Sequence, residues 1–286
     1  MGSMPFLKMH GLGNDFVVVD MRGNRLSLSN AEIRAVADRR TGIGCDQLIL
    51  LEPSQTADVY MRSFNADGGE VEICGNATRC VASLLAAEGD GGELAIDTQA
   101  GELRAWDAGN GQVSVDIGVA RLGWQEIPLA REMDTLHLDF ECESPDGTVL
   151  NDPAAVNVGN PHAIFFVDAA DIEAINLEQV GPAIEHDVLF PERVNVSLAA
   201  LSDSDTVRLR VWERGTGITA ACGTAACATI IACHRRGLTG RTIAVDLNGG
   251  RLSIEWRNDD HIIMTGPVAT SFCGDVDPKQ LALTAA

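Results

Sequence analysis

The chain has 286 residues, 45% of them hydrophobic and 22% charged, a balance that suits a globular protein with a sizeable core. A formal net charge of −20 excludes the clustered basic surface that nucleic acid or an anionic membrane requires. No apolar run approaches the roughly 20 residues of a membrane span, the N-terminus carries no signal-peptide core, and eight cysteines read as reduced thiols, so we expect a cytoplasmic protein.

In chain order, Phe16–Asp20 (FVVVD) is the first segment with the β-branched character of a strand. A short helix is predicted over Asn30–Arg39, where Ser29 and Glu32 form an N-cap signature. Strands follow at Val59–Phe64, Leu94–Thr98 and Gln112–Gly118, and between them Gly75–Glu88 is apolar enough for a buried helix. The second half repeats this order, with strands at Ala163–Asp168, Thr206–Trp212, Thr242–Leu247 and His261–Gly266. Its helices fall at Asn176–His186 and Gly223–Arg236. The Gly- and Asn-rich turn signals suggest antiparallel hairpins rather than βαβ crossovers.

The two halves are one unit written twice. Cys74 and Cys222 each precede a glycine, stand three residues before an alanine (Ala77, Ala225) and fifteen before a glycine. At the same offset (222 − 74 = 148) Arg62 falls on Arg210, Phe64 on Trp212, and Gln47-Leu48 on Asn195-Val196. The stretch Ile96–Leu103 matches Val245–Leu252 at 149, a one-residue slip. Upstream, HGLGNDFVVVD echoes VGNPHAIFFVD with a two-residue insertion after Gly-Asn. The fold class expected is α/β of the α+β type: two pseudo-symmetric halves, each a mainly antiparallel sheet wrapped round a central helix. We place the halves at residues 1–121 and 122–269, with 270–286 packing back on the first.

The duplicated Cys-Gly puts a thiol at the start of each central helix, where unpaired N–H groups and the helix dipole favour negative charge. Such a position can lower a thiol's pKa. Gly75, Asn76, Gly223 and Thr224 supply the N–H groups of a ready anion site. If the halves pack about a pseudo-two-fold axis, both helix starts meet in the interdomain cleft and hold one carboxylate. The two sulfurs then face opposite sides of an amino-acid α-carbon, one removing a proton while the other delivers one. That arrangement inverts a stereocentre without a cofactor, and Lys8 and Lys279 lie in no motif suited to a pyridoxal Schiff base. Metal binding is not expected, since neither Cys74/Cys80 nor Cys222/Cys227 shares a helix face and no CxxC occurs. Cys45, Cys80, Cys142, Cys227, Cys233 and Cys273 read as small buried hydrophobes. The glycine-rich GLGND and TGIGCDQ read as turns rather than nucleotide loops. Glu213-Arg214 aligns with Asn65 across the repeat, and both are expected to flank the cleft.

These stretches together resemble the diaminopimelate epimerase family: HGLGNDFVVVD, TGIGCDQLILL, MRSFNADGGEVEICGNATRC, VNVGNPHAIFF, RVNVS, VWERGTGITAACGTAACAT and MTGPVA. They keep the family's order and cover the chain from Met4 to about Pro267. The resemblance implies a pyridoxal-independent enzyme, usually a homodimer, interconverting LL- and meso-2,6-diaminopimelate in lysine and cell-wall precursor synthesis. It implies Cys74 and Cys222 as the catalytic thiols, with Gly75, Asn76, Gly223 and Thr224 binding the reacting carboxylate. Asn65, Asn160, Asn195 and Arg214 would hold the distal amino-acid end, and Asn14 and Gln47 would line the pocket. Glu213 and His162 would lie beside the thiols, Glu213 also offering its carbonyl to the distal ammonium. Many members have glycine at Ala77 and Ala225, where the extra methyl bears on substrate fit. A disulfide joining Cys74 and Cys222 would inactivate the enzyme reversibly. The competing readings are a proline-type racemase, a phenazine-type isomerase and a silent binding protein; Arg214 with the asparagines, and the thiol pair, argue against them.

Overall fold

The structure is a computed structural model and describes residues 3–23, 27–71, 75–89, 92–145 and 147–284. It divides into two units, Met1–Val115 with Gly266–Ala286, and Asp116–Thr265. In chain order the first stretch holds β1 (Met4–Gly11), β2 (Asn14–Asp20), α1 (Asn30–Ala37), β3 (Gln47–Glu52), β4 (Val59–Asn65), β5 (Glu70–Val71) and α2 (Gly75–Glu88), then β6 (Glu93–Thr98), β7 (Gly101–Gly109) and β8 (Gln112–Val119). Next come β9 (Glu141–Glu143), β10 (Val149–Asn151), β11 (Ala154–Asn157), β12 (Pro161–Phe166), α3 (Leu177–Glu185), β13 (Asn195–Leu201), β14 (Thr206–Glu213) and β15 (Gly217–Ile218). The remainder is α4 (Gly223–Arg235), β16 (Thr242–Leu247), β17 (Gly250–Trp256), β18 (His261–Pro267), β19 (Ala269–Val276) and α5 (Pro278–Thr284). The division falls within β8 and β18 rather than after residues 121 and 269.

The pairing rules of the two units are the same. In unit 1, β1–β2 is antiparallel, β2–β3 parallel, β3–β4 and β4–β5 antiparallel, β4–β6 parallel and β6–β7 antiparallel. In unit 2 the identical series runs through β11–β12, β12–β13, β13–β14, β14–β15, β14–β16 and β16–β17. The sheets are thus mixed, and the expectation of hairpins without crossovers needs correcting. Helices α1 and α3 join β2 to β3 and β12 to β13, and helices α2 and α4 lie in the chain between β4 and β6 and between β14 and β16, so each of these four parallel pairs is spanned by a helix.

The registers also locate the insertions. Val59 faces Ile96 while Val207 faces Val245, which fixes the slip from 148 to 149. Phe16 faces Gln47 and His162 faces Asn195, so β2 and β12 align at an offset of 146 along their whole length. The two-residue insertion therefore comes after the strand, not after Gly-Asn as expected.

Why the central helices are buried is plain from their composition. In α4 every residue from Ala225 to Cys233 is buried, and in α2 every residue from Gly75 to Ala82. A helix as apolar as α4 can sit only inside a protein, whereas α2 buries Asn76, Thr78 and Arg79 along with its apolar residues. Gly237, with φ +68, then ends α4 in the left-handed conformation while Leu238 N–H returns to the Cys233 carbonyl at 2.9 Å. Ser29 and Glu32 close the expected capping box on α1.

Each unit has its own apolar core. In unit 1 Val17, Val19, Ile33, Val36, Leu48, Leu50 and Phe64 form it, and Val276 and Leu281 pack against it. In unit 2 Leu138, Phe165, Val180, Ile184, Phe190, Val196 and Leu198 do so. Burying an aliphatic side chain contributes roughly 1.5–3 kcal/mol. Strand β19 pairs antiparallel with β1 and stays exposed along most of its length. That exposure corrects one expectation: Cys273 is exposed and Cys142 half-buried, whereas Cys45, Cys80, Cys227 and Cys233 are buried as predicted.

The TGIG segment is a tight turn, not a ligand loop. Gly42 donates to the Asp38 carbonyl at 3.0 Å, and a Cβ there would sit 2.0 Å from the Ala35 carbonyl oxygen, 2.8 Å from that of Val36 and 2.9 Å from that of Asp38. The backbone itself blocks any side chain. Gly42→Ala should lower the unfolding free energy by about 3 kcal/mol, the upper range for overpacking. Gly23→Ala, with nothing within 4 Å of the added carbon, should stay within about 0.5 kcal/mol; denaturant titration of both compares them.

Candidate active site

The unit 1 residues singled out by sequence occupy the ends of β2, β3, β4 and the start of α2. Leu12 (φ 56) and Gly13 (φ 86) both take left-handed conformations, which turns β1 into β2 in two residues and places Asn14 at the head of the strand. Asn14 Nδ2 donates to Asp46 at 2.9 Å, and its Oδ1 accepts from Asn76 Nδ2 at 3.1 Å. Gln47 and Asn65 face each other across β3 and β4, with Gln47 Nε2 donating to Asn65 Oδ1 at 3.0 Å. Asn76 is 4% exposed and follows Gly75, the first residue of α2. Contacts thus form two pairs, Asn14 with Asn76 and Gln47 with Asn65, and Asp46, which accepts from Asn14, directly precedes Gln47 in the chain. Cys74 lies outside the described residues.

Asp46 was not foreseen, although it bridges Asn14 to a charged cluster. Lys8 and Arg39 both pair with Asp15, and Arg39 also reaches Asp46 at 2.7 Å. The Asp15 carboxyl is held far below the usual carboxylate range: hydrogen bonds from Arg39 and Lys8, with the Lys8 charge, outweigh its burial, which pushes the other way.

In unit 2, Asn160 Oδ1 lies 2.8 Å from His162 Nε2. His162 is fully buried, and burial first, then the nearby Arg214 charge, hold its pKa down to about 3. The ring is therefore neutral, and Nδ1 has no partner among the described residues. Asn195, 2% exposed, spans two strands: its Nδ2 donates to the Pro161 carbonyl at 2.9 Å and its Oδ1 accepts from the Arg214 N–H at 3.0 Å. The exposed Arg214 side chain donates to the Glu192 carbonyl at 3.0 Å.

Cys222 is the N-cap of α4, extended in backbone and 5% exposed. Its sulfur lies 3.4 Å from the Thr224 hydroxyl and makes no full cap bond, yet the Ala225 N–H is placed to favour a thiolate. Glu213, at the end of β14, takes the thiol as a hydrogen-bond donor and accepts from the Thr219 hydroxyl as well. The structure therefore joins Glu213, Thr224 and Cys222, with Thr219 a member that sequence reasoning missed.

The expectation of a lowered thiol pKa is reversed at Cys222. Burial pushes it well above the usual thiol range, and the Glu213 charge adds to that; the helix start and the Thr224 hydroxyl oppose them without winning. The resting group is a thiol, a proton donor beside a ready carboxylate. Ala77 and Ala225 are both fully buried in the first turns of their helices. Among the described residues no cluster of three His, Cys, Asp or Glu side chains stands ready for a metal. Two surface cavities, of about 370 and 630 Å³, are lined by none of these residues.

A duplicated α/β unit in which central helix α4 opens on a buried thiol beside a carboxylate fits a proton-moving isomerase class, and solved structures share its fold. A hydroxyproline epimerase from Agrobacterium vitis, with bound trans-4-hydroxy-L-proline, matches at TM-score 0.67 and 16% identity over 96% of this chain and 91% of that one. A phenazine biosynthesis protein of the PhzF family from Enterococcus faecalis matches at TM-score 0.71 and 16% identity, over 96% and 100%. The sequence narrows the class. The chain belongs to the diaminopimelate epimerase family, whose model matches residues 6–123 and 154–271. Those segments are themselves 148 residues apart (154 − 6). Diaminopimelate epimerases from Erythrobacter litoralis and Rhodospirillum centenum are 58% and 53% identical, over 95% and 96% of this chain and 97% and 93% of theirs.

Two outcomes test the electrostatics. Glu213→Gln removes the negative charge, so the Cys222 peptide should be alkylated faster by iodoacetamide at a given pH. For His162, the native ring stays neutral down to about 3 while the unfolded ring protonates near 6.5. Protons then favour the unfolded chain, so its stabilising share is whole above 6.5 and is lost as pH falls toward 3. Denaturant titrations across that window should show a shallower decline in His162→Asn.

Proposed function

We propose that this chain inverts one stereocentre of 2,6-diaminopimelate, interconverting the LL and meso forms with Cys74 and Cys222 as the two bases and no cofactor. The observation that carries the reading is Cys222: a buried thiol at a helix start, hydrogen-bonded to the Glu213 carboxylate and beside the Thr224 hydroxyl. Gly75 opens α2 as Gly223 opens α4, and Cys74 precedes it in sequence as Cys222 precedes Gly223.

The reaction requires both helix starts to flank one α-carbon. In one direction the Cys74 thiolate takes the α-proton, and the charge left on carbon and carboxylate is stabilised by the N–H groups of the two helix starts. Cys222, resting as a thiol, gives its proton to the opposite face and becomes the thiolate. The next turnover in reverse exchanges the roles, with Glu213 accepting the hydrogen bond of the thiol that re-forms. His162, neutral and buried, is the other group assigned to a place beside the thiols.

The distal end distinguishes this substrate from a smaller amino acid. Arg214 and the amide N–H groups of Asn65, Asn160 and Asn195 suit a distal carboxylate, while the Glu213 carbonyl suits the distal ammonium. The same reading assigns Asn14 and Gln47 to the substrate. Holding that end fixes which of two chemically equivalent centres is turned. The product serves lysine and cell-wall precursor synthesis, and the working form is a cytoplasmic homodimer. Among the described residues no helix is long and apolar enough to cross a membrane.

Incubation of reduced protein with LL-diaminopimelate in deuterated water should yield the meso form with deuterium at one centre, followed by NMR. Cys74→Ala and Cys222→Ala should each lose the conversion. Absence of exchange with active-site thiols titrated as free would sink the substrate assignment, and proline would then be offered. Oxidation that joins Cys74 to Cys222, verified on the linked peptide, should abolish turnover, and dithiothreitol should restore it.

A further inference from the structure

Helix α3 ends on a buried carboxylate that the proposed chemistry leaves unassigned. Glu185 is 3% exposed and shares the helix's buried stripe with Leu177, Val180, Gly181 and Ile184. An acidic side chain in such a place is costly unless it is hydrogen-bonded. Its Oε2 accepts from Trp212 Nε1 at 2.7 Å and its Oε1 from the Gly215 N–H at 2.9 Å. Those two donors bracket Glu213 and Arg214 in the chain. The facing side chains are the Arg193 guanidinium, at 3.7 Å, and the His186 ring, at 3.8 Å. Gly181, one turn back, lies so close to Trp212 that a Cβ would sit 2.5 Å from its Cγ, so the indole is clamped from both ends.

Unit 1 ties down the same turn by other means. Asp67 stands where Gly215 does (215 − 67 = 148), and its carbonyl accepts from Arg34 Nη1 of α1 at 3.2 Å. In both units, then, the helix after the second strand reaches the turn after the fourth. The side chains come from non-equivalent positions, and the polarity is opposite. Among the described residues, unit 2 alone uses a buried carboxylate for this tie.

From this we infer that Glu185 is a positioning residue: by holding the Trp212 and Gly215 N–H groups it fixes the Glu213 carboxylate against the Cys222 thiol and aims Arg214. Its effect on turnover rests on the function proposed above; its effect on the thiol rests on the geometry alone.

The test is iodoacetamide alkylation of the Cys222 peptide against pH, by mass spectrometry, in wild type, Glu185→Gln and Glu213→Gln. Glutamine keeps the shape of the side chain but offers one acceptor oxygen where two are used. With Glu213 no longer held, Glu185→Gln should alkylate about threefold faster or more at pH 8, since the thiolate is the nucleophile, and its profile should move in the same sense as that of Glu213→Gln. The KM for LL-diaminopimelate should rise with it, and Glu185→Asp should recover part of both losses. A folded Glu185→Gln whose alkylation profile superimposes on wild type overturns the inference, whatever its melting temperature. If that variant does not fold, amide exchange in the wild type decides: a protected Gly215 N–H supports the tether, and exchange at the rate of an open turn removes it. A shifted profile in a protein that exchanges no diaminopimelate proton would keep the positioning role and discard the substrate.

Discussion

A helix buried on every side has four leading N–H groups that water cannot reach. Everything in the candidate site follows from where those groups point. In α4 the chain spends its N-cap on Cys222, whose sulfur is a poor cap, so the positive end of the helix is left facing a thiol and whatever anion approaches it. The same burial that makes the helix start potent also raises the thiol, because a thiolate without water is expensive. Glu213 then adds its own charge on the same side. The site is a contest between helix start and burial, and burial wins while the thiol is at rest.

Much of this was legible in the sequence because duplication acts as an internal control. One copy of Cys-Gly before an apolar helix is a weak signal; two at a constant offset, with Arg62 over Arg210 and Gln47 over Asn195, locate strands, helices and site together. The one-residue slip at Ile96/Val245 was read from residues alone and fixed by strand register. The insertion near Asn160 was misplaced, since Gly-Asn catches the eye more than the ladder that counts residues along β12. The parallel pairings were missed for a related reason. Turn residues mark the hairpins, and nothing in a strand's composition says which way its neighbour runs.

What escaped entirely was polar and tertiary. Asp46 reaches Asn14, 32 residues back, and Glu185 reaches Trp212, 27 residues on, and no periodicity announces such partners; Thr219 turns back only six residues, to Glu213. Glu185 did leave a trace: it falls on the apolar stripe of α3 with Val180 and Ile184, and an acid at a core position signals a buried acceptor. Cys273 misled in the opposite way. A free cysteine reads as a small buried hydrophobe, but β19 is exposed along most of its length, so the thiol stays in solvent.

The pairing of β1 with β19 has a consequence for how the protein is made. Met4 faces Val276, so unit 1 closes over a span of 272 residues (276 − 4), whereas unit 2 is a single uninterrupted stretch. During synthesis, which proceeds at about 5–20 residues per second, the β1 edge must wait for the whole of unit 2 before its partner emerges. The backbone N–H and C=O groups that β1 turns toward β19 stay unpaired for that interval. Unit 2 is thus the first half able to complete its fold, and the unit that begins the chain is the last to be finished.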